Sequence, residues 1–224
     1  MFALMVIEFG AISCELFDSD AQKAILKAHN DLRSKIAKGE YTSKGFKVPS
    51  ATNMLKMRWN STVADSANEW VETGLKAQCR LFHQEGGPYA ENLAMHGVSE
   101  YPDLAKHGVA GCGQWEEEFQ KYQWKDFDWQ QEKYGHAATM AWSTNEFIGC
   151  GYVKCKDWFI VGCRYSYGSH WPDGKKAFKP GKTCSECPEG YVCEEGLCAD
   201  PNGKLGKTIL ISVALFLFLQ LIIV

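Results

Sequence analysis

The sequence lacks any long block of like charge: the longest is Glu116-Glu117-Glu118, and the net charge at pH 7 is only −3. Nucleic-acid-binding proteins usually carry a clustered basic surface, so this composition excludes nucleic acid as a partner. The sequence also has no HExxH motif and no nucleophile elbow, which are the signatures of common zinc peptidases and serine hydrolases. Apolar residues are plentiful at 46%, with eight tryptophans, which is sufficient for the core of one domain.

Both ends of the chain carry apolar stretches. Residues 1–13 predict a signal peptide, although Glu8 interrupts the apolar run, and an N-terminal strand or helix of the fold is the alternative. Residues 209–224 form a hydrophobic tail after a polar spacer at residues 199–208, and the tail is slightly shorter than the roughly 20 residues that cross a membrane. A GPI signal and a single-pass anchor both fit, and a buried helix fits less well. Either anchor would attach the protein to an extracellular membrane surface.

Ten cysteines, most of them in the C-terminal half, indicate disulfide bonds and an oxidising compartment. Four of them lie in a cysteine-rich region, residues 184–198, which follows a glycine- and proline-containing connector at residues 168–183. A zinc site is the alternative for these four cysteines, but their spacing and the absence of histidine favour disulfides.

Periodicity of the apolar residues predicts helices before strands. A capping box at Ser19 and Gln22 precedes the first helix, and Asn60 precedes the second. The predicted helices cover residues 21–37, a segment after residue 60, and about 113–122, and the predicted strands cover residues 139–142, 147–153 and 158–164. This order predicts an α+β domain. Asn60 also begins the sequon Asn60-Ser61-Thr62, so it is the candidate glycosylation site.

Four ionisable residues stand out by their local context: His83, Glu91, Glu118 and His136. Two imidazoles and two carboxylates suit a divalent transition metal such as zinc, or general acid–base chemistry. Each residue also fits a plain structural role, with the histidines bonded to backbone and the glutamates on a solvated helix face. Separation along the sequence does not decide whether the four converge.

The segments around these residues match a known family. They read AHNDLRSKIAKG, MLKMRWNSTVADSANEW, CRLFH, AENL, GHAATMAW, IGCGYVKC and VGCRY, in that order. The sequence resembles the CAP superfamily of cysteine-rich secretory, antigen 5 and pathogenesis-related 1 proteins, and in particular the secreted venom-allergen-like proteins of parasitic worms. The resemblance assigns residues 18–167 to a CAP domain. It implies an α-β-α sandwich with a three-stranded antiparallel sheet between helices, and a large cleft.

The resemblance implies that the four ionisable residues converge in this cleft as a tetrad, with His83 and His136 as ligands of zinc or a related ion. It assigns no catalytic residue. The sequence departs from the family pattern at Ala90, where a glycine is usual, and at Ala138 and Thr139, where threonine and glutamine are usual. Loss of the glutamine amide removes a group that could orient a metal ligand, so weaker metal affinity is expected.

The resemblance also implies a set of disulfide pairs. They are Cys150 with Cys163, Cys79 with Cys155, and Cys14 with Cys112, while Cys184, Cys187, Cys193 and Cys198 pair among themselves.

The function expected from the resemblance is that of a non-enzymatic extracellular binding protein, either secreted or surface-anchored. Its implied partners are a sterol or fatty acid, or a host protein. An aromatic series could rim an apolar pocket or simply pack the core; it comprises Phe119, Tyr122, Trp124, Phe127 and Trp129. A metal-dependent hydrolase using the tetrad is one alternative. A disulfide-rich scaffold with a vestigial cleft is another.

Overall fold

The computed structural model describes residues 16–98, 102–166 and 172–204. The predicted signal peptide, Cys14 and the hydrophobic tail at residues 209–224 lie outside the described residues. Within the described ranges, no helix has the length and apolar character needed to cross a membrane.

The α+β fold class is confirmed. The helices are α1 (Ser19–Ala37), α2 (Ser61–Trp70), α3 (Lys76–Gln78), α4 (Leu104–Lys121) and α5 (Gln131–Met140). A π-helical turn, Val71–Leu75, joins α2 to α3, and a 3-10 helix, Pro201–Lys204, lies near the end of the described chain. The strands are β1 (Thr42–Ser43), β2 (Phe46–Lys47), β3 (Arg58–Trp59), β4 (Ala90–Gly97), β5 (Phe147–Cys155), β6 (Trp158–Tyr165), β7 (Val192–Glu194) and β8 (Leu197–Ala199).

The central sheet has the strand order β3-β5-β6-β4. Its three long strands are antiparallel, as expected, and the two-residue strand β3 adds a short parallel edge beside β5. Strands β4 and β6 pair from Ala90 opposite Tyr165 to Gly97 opposite Trp158. This pairing places Glu91 beside Arg164 at one end of the sheet.

Helices cover both faces of the sheet. Helix α2 packs closely on one face because Gly149 of β5 has no side chain, and a Cβ there would clash with the backbone nitrogen of Ala64. Helix α4 packs on β4 and β6, with α1 and α5 packed against it. The two helical layers and the sheet between them form the α-β-α sandwich.

The start of α4 lies nine residues before the predicted one. The prediction placed this helix at about residues 113–122, where the aromatic content leaves the boundary vague, yet Asp103 caps a helix that already begins at Leu104. A Cβ at Gly108 would lie 2.6 Å from Ile25 of α1, and one at Gly111 would lie 2.5 Å from Val161 of β6. These glycines therefore permit close packing inside a helix and do not end it.

The predicted strand at residues 139–142 was wrong. Residues 139 and 140 end helix α5, where the Thr139 hydroxyl donates to the Gly135 carbonyl at 2.7 Å and the Asn145 amide donates to the Thr139 carbonyl at 3.0 Å. These local hydrogen bonds satisfy a β-branched residue in a helix. The third long strand of the sheet is Ala90–Gly97, which was not predicted.

The capping prediction was wrong by one residue at α1. Asp18 is the N-cap, and its side chain accepts hydrogen bonds from the backbone N–H groups of Asp20 and Ala21. Gln22 donates to the Phe17 carbonyl at 2.7 Å. The second helix begins as expected, with Asn60 accepting from the Val63 N–H at 3.0 Å.

The described part of the connector, residues 172–183, is not loose. Ala177 and Phe178 are buried, and the Ala177 carbonyl accepts from the Ser143 N–H at 2.8 Å. The cysteine-rich region also packs on the domain, since the Cys198 carbonyl accepts from the Lys56 N–H at 2.9 Å. Sequence periodicity did not reveal this packing because single apolar residues in irregular backbone make the contacts.

Four disulfides join described residues: Cys79–Cys155, Cys150–Cys163, Cys184–Cys193 and Cys187–Cys198. The first two are the pairs implied by the resemblance, and the last two give a connectivity within the cysteine-rich region that the sequence left open. Cys112 is buried and has no disulfide partner among the described residues. Its predicted partner, Cys14, lies outside them, so that pair stays a prediction.

Candidate functional site

The structure brings His83, Glu91 and His136 into the lining of one cleft, and Glu118 contacts His136 beside it. Glu91 lies on β4, Glu118 on α4 and His136 on α5, while His83 lies in the loop that follows α3. The two imidazole rings face each other with centroids 6.4 Å apart. Each histidine contacts one of the two glutamates, so the tetrad consists of two histidine–glutamate pairs.

In the first pair, His83 donates from Nδ1 to Glu91 Oε1 at 3.0 Å. The second carboxylate oxygen of Glu91 accepts from both Nε and Nη2 of Arg164, each at 3.0 Å. Arg164 also binds Ser66 and Gln84, and both Glu91 and Arg164 are almost fully buried. This ion pair fixes the carboxylate, and the carboxylate in turn orients a half-exposed histidine.

In the second pair, His136 donates from Nδ1 to Glu118 Oε1 at 2.6 Å. The other oxygen of Glu118 accepts from the Ala137 backbone N–H at 3.0 Å. Helix α5 is interrupted at Tyr134, whose φ of −142° and ψ of 35° are not helical. Ala137 lies in the first turn after this interruption, and the first N–H groups of a helix are the ones available to an acceptor such as a carboxylate.

Both histidines thus have Nδ1 occupied by a carboxylate. In a neutral imidazole the other nitrogen, Nε2, then carries a lone pair, which is the form that binds metals. Histidine ligands in proteins are usually oriented in this way by a carboxylate or carbonyl. A zinc ion lies about 2.0–2.1 Å from an imidazole nitrogen. The 6.4 Å between the ring centroids is compatible with one ion bound by both imidazoles. The residues present fit a divalent metal.

The resemblance implies a large cleft, but the cleft at the tetrad is small, with a volume of about 90 Å³. The tetrad residues His83, Glu91 and His136 line it together with Trp129 and Arg164. Ligand pockets for drug-sized molecules are about 300–1,000 Å³. The cleft suits an ion and a few small ligand atoms, and it is too small for a sterol.

The two departures from the family pattern have different consequences. Ala90 is buried in strand β4 and is not among the residues with positive φ, so a glycine is not required there. Thr139 lines the cleft, but its hydroxyl is bound to the Gly135 carbonyl at 2.7 Å. It supplies no amide in place of the missing glutamine.

Most of the aromatic series packs the core. Phe119 and Trp124 are fully buried, and their rings stack with centroids 4.1 Å apart. Tyr122, Phe127 and Trp129 are half-buried, and Trp129 alone of the five lines the cleft. The series therefore does not form the rim of a single apolar pocket.

Sequence reasoning missed Arg164 and Asn92 as parts of the site. Arg164 lies in the quoted segment VGCRY, next to the last residue of an otherwise apolar strand. A buried guanidinium in such a strand needs hydrogen-bond acceptors, so this signal could have singled out Arg164 itself, although not Glu91 as its partner. Asn92 donates to the His136 backbone carbonyl at 2.9 Å, a contact that nothing in the sequence indicates.

A second cluster of possible metal ligands exists in the described chain, where the sulfur atoms of Cys184, Cys187 and Cys198 lie within 4.8 Å of one another. All three sulfurs are in disulfides. Since metals bind the thiolate form of cysteine, the oxidised region offers no zinc site.

Comparison with known families gives one match over most of the domain. The family model described as the cysteine-rich secretory protein family, CAP, matches residues 26–165. The Ancylostoma secreted protein of Ancylostoma caninum is 30% identical over 188 residues, which cover 79% of this chain and 43% of that protein. Peptidase inhibitor 16 of Mus musculus is 27% identical, and the match covers 80% of this chain and 34% of that protein. The chain thus spans less than half the length of these two relatives.

Two solved structures share the fold. The crystal structure of NaASP2 with Zn²⁺ is 27% identical with a TM-score of 0.69, and the match covers 81% of this chain and 96% of that one. The crystal structure of Na-ASP-1 is 26% identical with a TM-score of 0.70, covering 84% of this chain and 50% of that one.

Proposed function

Because the chain belongs to the cysteine-rich secretory protein (CAP) family, we propose that it is a non-enzymatic extracellular protein whose cleft binds zinc or a related divalent ion through His83 and His136. One observation carries the proposal: Glu91 and Glu118 each accept a hydrogen bond from Nδ1 of one histidine. The Nε2 atoms are then the natural metal ligands. The related NaASP2 structure is one with Zn²⁺, which supports this choice of ion.

A bound zinc ion would supply a positively charged Lewis acid with positions open to oxygen or nitrogen ligands of a partner. The chain's own residues hold the two imidazoles and keep both glutamates engaged. Glu91 is bound by Arg164 and His83, and Glu118 is bound by His136 and the Ala137 N–H. A hydrolase would need a carboxylate available to accept a proton from water. Glu91 is paired with Arg164 and Glu118 is not among the residues that line the cleft, so the geometry favours binding over hydrolysis.

Zinc titration by isothermal calorimetry tests the proposal. The wild-type protein is expected to bind one ion, and His83→Ala and His136→Ala should each abolish or greatly weaken binding. The matched control is His107→Ala, which removes an imidazole that contacts His96 outside the tetrad. Zinc binding that survives loss of both cleft histidines would contradict the proposal. So would a loss of binding in the control.

We propose a fatty-acid ligand at a second site, because the cleft is too small for one. A surface hollow of about 700 Å³ is lined by Leu55, Trp142 and Phe178, with Lys175 and Lys179 exposed at its edge. Its volume is in the range of ligand pockets. These two lysines and Lys176 complement a carboxylate, although Lys179 also pairs with Glu186 and Glu146 lies in the same lining. The excess of positive charge favours a fatty acid over a sterol among the ligands implied by the resemblance.

Displacement of a fluorescent fatty acid tests this second site. Charge reversal by Lys175→Glu with Lys179→Glu should weaken binding, while Lys35→Glu, a change on α1, should leave it unchanged. Equal affinity in all three proteins would refute the placement. Loss of binding after His83→Ala instead would assign the lipid to the cleft.

The location and the remaining partners are part of the same proposal. The name of the Ancylostoma relative describes it as secreted. We propose the same for this chain, with a host protein as a partner, a glycan on Asn60 and attachment through the tail at residues 209–224. Native mass spectrometry of protein made in a secretory host would report the ends of the mature chain, its glycan and any bound metal or lipid. An unprocessed, unglycosylated chain would count against this location.

A further inference from the structure

A buried chain of hydrogen bonds runs behind the cleft. The side-chain amide of Asn92 donates to the His136 backbone carbonyl at 2.9 Å and to the Tyr165 hydroxyl at 3.2 Å. The Tyr165 hydroxyl donates to Nε2 of His29 at 2.9 Å, and Nδ1 of His29 donates to the Ile25 carbonyl at 2.9 Å. Asn92, Tyr165 and His29 are each at most 1% exposed.

The direction of each hydrogen bond in this chain is fixed by chemistry. A carbonyl only accepts, so Nδ1 of His29 must carry the hydrogen and Nε2 must accept from Tyr165. Burial lowers the pKa of His29 to about 4, which keeps the ring neutral and able to accept. The hydroxyl of Tyr165 is therefore left with its lone pairs facing the amide of Asn92, and this fixes the orientation of that amide.

Asn92 connects the two halves of the tetrad. It follows Glu91 on β4, the strand whose carboxylate orients His83. Its side chain holds the backbone of His136, which belongs to α5. The hydrogen bond from Asn92 thus sets how α5 lies against β4 at the point where the two imidazoles face each other.

We propose that Asn92 is a positioning residue for metal binding, and that Tyr165 and His29 support it by fixing its amide. This inference rests on the proposed zinc site. Removal of a group that orients a metal ligand typically lowers the metal affinity by about 10–100-fold. Asn92 acts one step further away, through the backbone of a ligand, so an effect of about 10-fold is expected.

The test compares zinc affinity and thermal stability in three variants of the full protein. Asn92→Leu keeps the size of the side chain and removes both hydrogen bonds, and it should weaken zinc binding about 10-fold. Tyr165→Phe leaves the bond to His136 in place and should weaken binding by a smaller factor. The matched control is Asn145→Leu. Asn145 is also fully buried, and it donates to the Thr139 carbonyl near the C-terminus of α5.

The control should lose stability and keep its affinity for zinc. The absorption spectrum of bound Co²⁺ gives an independent readout, and it should change in Asn92→Leu and remain as in wild type in Asn145→Leu. Wild-type affinity in a folded Asn92→Leu would refute the positioning role and leave the zinc site intact. Equal losses in Asn92→Leu and Asn145→Leu would show a general loosening of α5 and also refute it. If Asn92→Leu does not fold, unchanged affinity in Tyr165→Phe refutes the support role. Failure of wild type to bind zinc would overturn the proposed function itself.

Discussion

Acidification is expected to destabilise this protein through His29, a histidine outside the tetrad. His29 lies on α1 with its ring fully buried, and its Nε2 accepts the hydrogen bond from Tyr165 of β6. A second proton would break that bond and place a charge in the core near the guanidinium of Arg33. Burial is the main cause that lowers the pKa of His29 from 6.5 to about 4, and Arg33 contributes in the same direction.

The sign and size of the effect follow from these two pKa values. The unfolded chain takes up the proton near pH 6.5 and the folded chain near pH 4, so the unfolded state binds more protons between them. The free energy of unfolding therefore falls as the pH is lowered through this window. The two pKa values differ by about 2.5, and a difference of one corresponds to about 1.36 kcal/mol, so the free energy of unfolding should fall by about 3 kcal/mol. This stability is fully present above pH 6.5 and is lost by pH 4.

Urea denaturation followed by tryptophan fluorescence, at steps from pH 7.5 to pH 4, would measure this loss. The comparison is with His29→Gln, which has a donor and an acceptor but does not titrate. Other titrating groups are shared by the two proteins, so the difference between their pH profiles reports His29. The wild type should lose about 3 kcal/mol more than the variant. Parallel profiles would refute the reasoning.

Three further predictions concern the fold and its modification. Gly149→Ala forces a Cβ into the backbone of α2 and should cost several kcal/mol of stability or prevent folding. Gly113→Ala places its Cβ in open space on α4 and should stabilise the protein by about 1 kcal/mol. Thermal unfolding of both variants checks this, and equal melting temperatures would contradict it. Replacing both Cys79 and Cys155 by serine opens a link between positions 76 residues apart and should lower the free energy of unfolding by about 4 kcal/mol, measured in urea; a loss below about 1 kcal/mol would count against it. Asn60 caps α2 through its side-chain oxygen, so its nitrogen is available for a glycan; Asn60→Asp should keep the cap and lose the glycan in a secretory host, and an unchanged mass would contradict this.

The sequence predicted the fold class and the members of the tetrad because these depend on local segments with strong patterns. Strands β5 and β6 carry runs of aromatic and β-branched residues, and their predicted bounds differ from the observed ones by one or two residues. Residues Thr139 and Met140 have a similar composition but belong to a helix, because their packing in the folded domain decides between the two states. Local propensity does not contain that information.

In the site as well, local motifs indicate some residues, whereas contacts between distant residues require the structure. His83 and His136 were found through the motifs around them, and the structure adds that each donates to a glutamate. The ion pair between Arg164 and Glu91 joins residues 73 positions apart, and its formation depends on the register of β4 and β6. No short segment specifies that register, so the partner of Glu91 required the structure.

The central claim is that His83 and His136 hold one divalent ion between them. Crystals of the protein grown with zinc and measured at wavelengths on both sides of the zinc absorption edge test it most directly. We expect one anomalous peak in the cleft, about 2.0–2.1 Å from Nε2 of each histidine, with the hydrogen bonds from Nδ1 to Glu91 and Glu118 preserved. An anomalous peak bound elsewhere, or a cleft without a peak at saturating zinc, would contradict it.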